Sequence, residues 1–290
     1  MRKSPWLPWF MFAFLCITWG SSFILMKKGL EAFSPLQIAA LRLVIAALTL
    51  LPVVIRQLRK VRREEWRYII AVGIVGNGIP AFLFPLAETE LNSASAGVLN
   101  ALSPLFVLLL GQWFFGFAFA ARRKWGVVLG FLGACVLVLG GEDEVDLLLH
   151  AGYAMLVVVA TVGYGLSTNI MKRHLNQTPA TLASGGGFLV AALPYGLYLL
   201  LGSDIGTVMQ SHPAAWSSLG YIFILGALGT AISLVIFYRL VQTTDTLVAA
   251  SVTYVIPLVA LGWGLLDGET FSGIQYAGML IILGGVWLAR

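Results

Sequence analysis

Apolar residues run through this chain in long stretches separated by short charged or Pro/Gly/Asn clusters. The stretches cover residues 6–28, 35–55, 67–87, 93–117, 125–141, 149–171, 180–201, 216–238, 246–266 and 273–289. As helices rising about 1.5 Å per residue, runs of about 20 residues cross a hydrocarbon layer some 30 Å thick. None alternates with the period of two that a membrane strand shows. The pattern predicts an all-α integral membrane fold of ten transmembrane helices.

Composition supports the same reading. AVILMFWYC make up 59% of the 290 residues, with a further 32 glycines, and charged residues only 11%, where about 25% is usual in soluble domains. A soluble fold could not cover that much apolar surface with so few polar groups, so the excess faces lipid. The formal charge of +5 lies in short clusters between the apolar runs, which marks topology rather than a nucleic-acid surface. Placing the N-terminus in the cytoplasm puts 15 of the 18 basic residues on that side, from Arg2 and Lys3 to Arg239 and Arg290. Lys27, Lys28 and most acids, including Glu31, Glu88, Glu90, Asp267 and Glu269, then fall on the other side. Both termini are therefore expected inside. The apolar run after Met1-Arg2-Lys3 is longer than a signal-peptide core and reads as an uncleaved first span. Cys16 and Cys135 lack metal or redox spacing and read as packing residues. No metal and no cofactor is expected.

The chain also matches itself. Residues 68–79 align with 221–232 at an offset of 153, which places Pro104 on Pro257; an offset of 145 places Met26-Lys27-Lys28 on Met171-Lys172-Arg173; an offset of 152 pairs Gly126 with Gly278 and Gly133 with Gly285. The halves 1–145 and 146–290 would each hold five spans. Five is odd, so the second copy runs in the opposite direction. Two inverted repeats around a site near the midplane are the architecture of many secondary carriers, because similar halves can exchange inward-open and outward-open arrangements.

Several motifs resemble a known family. Trp19-Gly20-Ser21-Ser22-Phe23, Leu41-Arg42-Leu43 with Ala46, Asn92-Ser93-Ala94-Ser95-Ala96 leading to Leu102-Ser103-Pro104-Leu105-Phe106, and Gly268-Glu269 followed by Gln275-Tyr276-Ala277-Gly278 and Ile282-Leu283-Gly284-Gly285-Val286 resemble the EamA branch of the drug/metabolite transporter superfamily. The resemblance spans nearly the whole chain. It departs at Gly116-Phe117, where the first repeat of the family often has Gly-Glu. What the resemblance implies is a carrier of small metabolites in the bacterial cytoplasmic (inner) membrane, with members that export amino acids and others that handle nucleobases or cationic drugs.

Groups facing a translocation pathway should be polar or aromatic and share one helical stripe. Gly73, Gly76, Asn77, Pro80 and Phe84 form such a stripe, and the repeat supplies Gly226, Gly229, Thr230, Ser233 and Phe237. Asn77 either binds substrate or bridges helices, and the glycines allow close helix contact. The fourth span offers Asn100 and Pro104, its counterpart Thr253, Tyr254 and Pro257; a mid-span proline frees a carbonyl or simply kinks the helix. Trp19 and Tyr164, paired at the 145 offset, flank a cavity or pack. Arg42, the one basic residue well inside a span, either bonds to carbonyls or attracts a substrate carboxylate. The acids fall near span ends and mark no proton site, and the three histidines fall near loops. An intramembrane enzyme acting on lipid or peptide would need a deep nucleophile with a base, or paired acids, and neither occurs in mid-span. The expected partners are a small-molecule substrate and the lipid bilayer, with the protein a monomer or weak homodimer.

Overall fold

The structure is a computed structural model that describes residues 7–116, 121–139, 147–243 and 246–289. Every regular element among the described residues is helical. Among the described residues, seven helices are long and apolar enough to cross a membrane: Trp9–Leu30, Pro35–Gln57, Arg63–Ala87, Ser93–Phe115, His150–His174, Ala180–Leu201 and Ala215–Phe237. Three shorter apolar helices, Val128–Leu137, Val255–Leu266 and Gly273–Gly285, lie within the remaining predicted runs. Large apolar side chains such as Leu200, Leu201, Leu266, Trp113 and Phe114 point outward, as a bilayer rather than water requires.

Local chemistry sets the helix ends. Ser34 and Gln37 form a reciprocal capping box ahead of Pro35–Gln57, with Pro35 in the first turn, where its missing N–H is not needed. Asn92 accepts from the Ser95 N–H at the start of Ser93–Asn100. Gly116, at φ 71°, ends Ser103–Phe115 in a left-handed conformation that a side chain would disfavour.

Two helices widen into π turns, over Val72–Gly78 and Leu225–Ile232, which are the segments aligned by the 153-residue offset. In each, a polar side chain bonds the carbonyl five residues earlier: Asn77 Nδ2 donates to Val72 O at 3.4 Å and Thr230 Oγ1 to Leu225 O at 2.8 Å. The glycines matched by the 152-residue offset meet crosswise, Gly278 with Gly133 and Gly285 with Gly126. Added Cβ atoms at Gly278 and Gly285 would collide with the backbone around Gly133, Leu137, Gly126 and Gly130. Helices Ala121–Leu139 and Gly273–Ala289 therefore approach backbone to backbone, as small residues permit in membranes. Of the two prolines expected to interrupt a mid-helix bond, only Pro257 does so. Pro257 lies inside Thr246–Leu266, whereas the fourth span breaks after Asn100 and Pro104 opens the next helix, where no bond is lost.

Candidate functional site

Arg42 is half-buried on the Pro35–Gln57 helix. Its Nε donates to Thr230 Oγ1 at 2.8 Å, Nη1 lies 3.7 Å from Met26 Sδ, and the Tyr164 phenol lies close enough to interact electrostatically with the guanidinium. Four separate helical segments thus surround one cation. All three partners are neutral, and Arg42 forms no salt bridge among the described residues.

Aromatic rings extend from this point. Tyr164 stacks on Phe84 at 5.9 Å between centroids, and Phe84 meets Phe23 at 5.8 Å. One turn earlier than Phe23, Trp19 packs against Phe237 at 5.1 Å. Hydroxyls lie beside these rings: Thr18 Oγ1 and Ser233 Oγ share a hydrogen at 2.8 Å, and Ser233 also donates to Leu228 O at 2.7 Å. The Trp263 indole donates to Ser21 Oγ at 2.8 Å. Each contact except Phe23 with Phe84 and the local Ser233 bond joins the two sequence halves.

Of the sequence candidates, Trp19, Arg42, Tyr164, Thr230 and Ser233 lie in this connected layer. Asn77 turns back on its own π turn, and Asn100 Oδ1 accepts from Ser103 Oγ at 3.2 Å, within the helix break. The side chains of Thr253 and Tyr254 fall outside the described residues. Pro257 is buried in its helix and Pro104 half-buried at its helix start.

At one end of the layer sits an ion cluster. Lys27 Nζ reaches Asp267 at 2.7 Å and Glu269 at 2.8 Å, and Lys28 reaches Asp267 at 2.8 Å and Glu31 at 3.2 Å. Glu269 also caps the Ser93 helix, accepting from the backbone N–H groups of Ser93 and Ala94 and from the Ser93 hydroxyl at 2.8–3.1 Å. Burial alone would raise the Glu269 carboxyl, but Lys27 and these donors outweigh it and hold it below the usual carboxylate range. Hydrogen bonds from Lys27 and Lys28 do the same for Asp267.

Glu88 lies at the end of its span, as expected, but it is not a solvated charge. It follows Phe84 by one turn, is only 7% exposed, and neither of its carboxylate oxygens finds a hydrogen-bond partner among the described residues. Burial pushes its carboxyl well above the usual range; Glu269 pushes the same way, while Arg42 and Lys27 offset part of the effect. Its place on the Phe84 stripe was visible in the sequence, but its burial was not. His174, expected near a loop, stacks on Tyr68 at 4.0 Å.

Comparison with known proteins decides what the arrangement belongs to. The profile of the EamA-like transporter family matches residues 6–139 and 151–290. The chain belongs to that family. Among similar EamA proteins, an uncharacterized transporter of Archaeoglobus fulgidus is 28% identical over 97% of each chain. The uncharacterized inner membrane transporter YedA of Escherichia coli is 28% identical over 99% of this chain and 92% of its own. A probable amino-acid metabolite efflux pump of Salmonella typhimurium is 23% identical over 96% of this chain and 93% of its own. A solved structure shares the fold, with a TM-score of 0.64 at 17% identity over 97% of this chain and 95% of that one. This EamA protein is thus a multi-pass membrane transporter.

Proposed function

We propose that this transporter is a secondary carrier that exports amino acids or related carboxylated metabolites, with the solute held at Arg42. One observation carries the reading: a guanidinium inside the membrane span has only neutral partners, Thr230, Tyr164 and Met26. An unpaired charge in a low-dielectric interior is costly and strongly attracts an opposite charge, and guanidinium geometry matches a carboxylate in two parallel hydrogen bonds. Thr230, Tyr164 and Ser233 complete a polar wall, and Trp19, Phe84 and Phe237 an apolar one that suits the rest of an amino acid. The names of relatives described as amino-acid metabolite efflux pumps support the solute class and the outward direction.

The carrier has ten spans in two inverted five-span repeats, 1–145 and 146–290, with both termini in the cytoplasm and a bacterial inner membrane around it. It works as a monomer or weak homodimer, without cofactor or metal. Alternating access is rocking of one repeat against the other. The repeat-related π turns and the glycine-mediated contact of Ala121–Leu139 with Gly273–Ala289 support that symmetry. Asn77, Asn100, Pro104 and Pro257 serve the helices that move rather than the first contact with solute, and Thr253 and Tyr254 remain candidates for solute contact.

The test is flux into proteoliposomes of labelled amino acids, nucleobases and organic cations. Wild type should carry amino acids, and Arg42→Lys should slow them by tenfold or more, about 1.4 kcal/mol, while sparing carboxylate-free analogues. Equal loss for both kinds of solute in a folded variant, or no amino-acid flux in wild type, refutes the reading.

A further inference from the structure

Glu88 is a buried carboxyl whose two oxygens have no hydrogen-bond partner among the described residues, at the edge of the layer that holds Arg42. An ionised carboxylate in such a place is destabilised by several kcal/mol unless a cation or donors meet it. The charged and titratable groups facing it are committed elsewhere. Lys27 is bound to Asp267 and Glu269. Arg42 is bound to Thr230, and the Tyr164 phenol lies beside Arg42. Glu269 repels a second negative charge. The arrangement accommodates Glu88 only as the neutral acid.

We infer that Glu88 is the proton-binding site of the transport cycle: it holds a proton while Arg42 holds a solute carboxylate, so proton and solute cross together. This rests on Arg42 being the carboxylate site. With Glu88 neutral, nothing competes for the guanidinium. The arrangement described here is the proton-loaded one, ready for solute; once solute has been released, a rearrangement that brings Glu88 against Arg42 lets Glu88 give its proton to water and become the counter-ion of the guanidinium. Two carboxylates facing one guanidinium cannot both stay ionised at low cost, so each rebinding of solute requires Glu88 to take a proton from the side to which it is open. Linkage makes the effect reciprocal: bound solute strengthens proton binding, and a proton strengthens solute binding. Export therefore runs down the solute's own gradient with a proton in company, and an inward proton gradient draws solute inward.

Two measurements on the full chain test this. Infrared spectroscopy of the protein in lipid nanodiscs, followed over pH with and without a saturating amino acid that wild type carries, should show the carbonyl stretch of a protonated carboxyl that persists to higher pH with solute bound, is absent in Glu88→Gln and moves in frequency in Glu88→Asp. In proteoliposomes made acidic outside, a labelled amino acid that wild type carries should accumulate. Glu88→Gln should keep exchange of labelled for unlabelled solute but lose that accumulation. A missing Glu88 band in the solute-saturated protein at neutral pH overturns the inference, as does accumulation that persists in Glu88→Gln or a gradient that drives solute outward. If wild type carries no amino acid, the Arg42 reading fails, and the infrared band still decides whether Glu88 holds a proton.

Discussion

Glu88 and Glu269 are two buried glutamates at the same end of the molecule, and their surroundings send them in opposite directions. Glu269 has Lys27, one hydroxyl and two backbone N–H groups on its oxygens, so the charged form is favoured and the carboxylate fastens the loop after Val255–Leu266 to the Ser93 helix. Glu88 has none of these, and burial favours the neutral form. Charge on a buried carboxyl is thus decided by the donors that converge on it rather than by depth. The satisfied one behaves as structure, and the unsatisfied one is available for work.

The largest test of that contrast is Glu269→Ala. It leaves Lys27 with one carboxylate fewer and uncaps the Ser93 helix, and removing one partner of a buried pair costs about 3 kcal/mol or more. Thermal unfolding in detergent should show a clear drop; an unchanged midpoint would mean that the cluster holds nothing together. A smaller loss, about 1–2 kcal/mol given the partial exposure of Lys27 and Asp267, is expected for Lys27→Met. The same change should keep Glu88 protonated to higher pH, because a cation that favours its ionised form is gone.

The smallest effect at neutral pH, within about 1 kcal/mol, belongs to Glu88→Gln, and its signature is in the pH profile. The Asp267 and Glu269 carboxyls are depressed in the folded protein, so their stabilisation is complete above the unfolded carboxylate range near pH 4 and is lost as pH falls through the depressed values. Glu88 is raised, so it costs nothing in acid and destabilises progressively as pH climbs from the unfolded value toward its raised folded one. Unfolding midpoints against pH should therefore decline on both sides in wild type. In Glu88→Gln only the acid-side decline should remain; an alkaline-side decline of wild-type size in that variant would remove Glu88 as its source.

Much of this was legible in the chain. Arg42 stands out as a basic residue deep in an apolar run, and Thr230, Tyr164, Trp19 and Ser233 are polar or aromatic at depth. The π turns were foreshadowed by the glycine-rich matches around Asn77 and Thr230, although the matches alone do not say that the helix widens there. Pro104 was misplaced because a proline in an apolar run does not reveal whether the helix has already broken at Ala101 and Leu102. Glu88 was read with the other acids as a span-end charge, since its distance from charged neighbours in sequence carries no information on its burial.

Apolar run length and the placement of basic residues determined by themselves that this chain is helical and lives in a bilayer. Helical hydrogen bonding is satisfied within each segment, so hydrocarbon imposes a local requirement that a linear pattern can express. The fates of the few interior charges were decided only by tertiary structure. Lys27 meets Glu269 across 242 residues and Arg42 meets Thr230 across 188, and what those contacts leave over is Glu88 without a donor. Whether a buried group ends paired or orphaned is a sum over neighbours from distant segments, and no single stretch of sequence contains that sum.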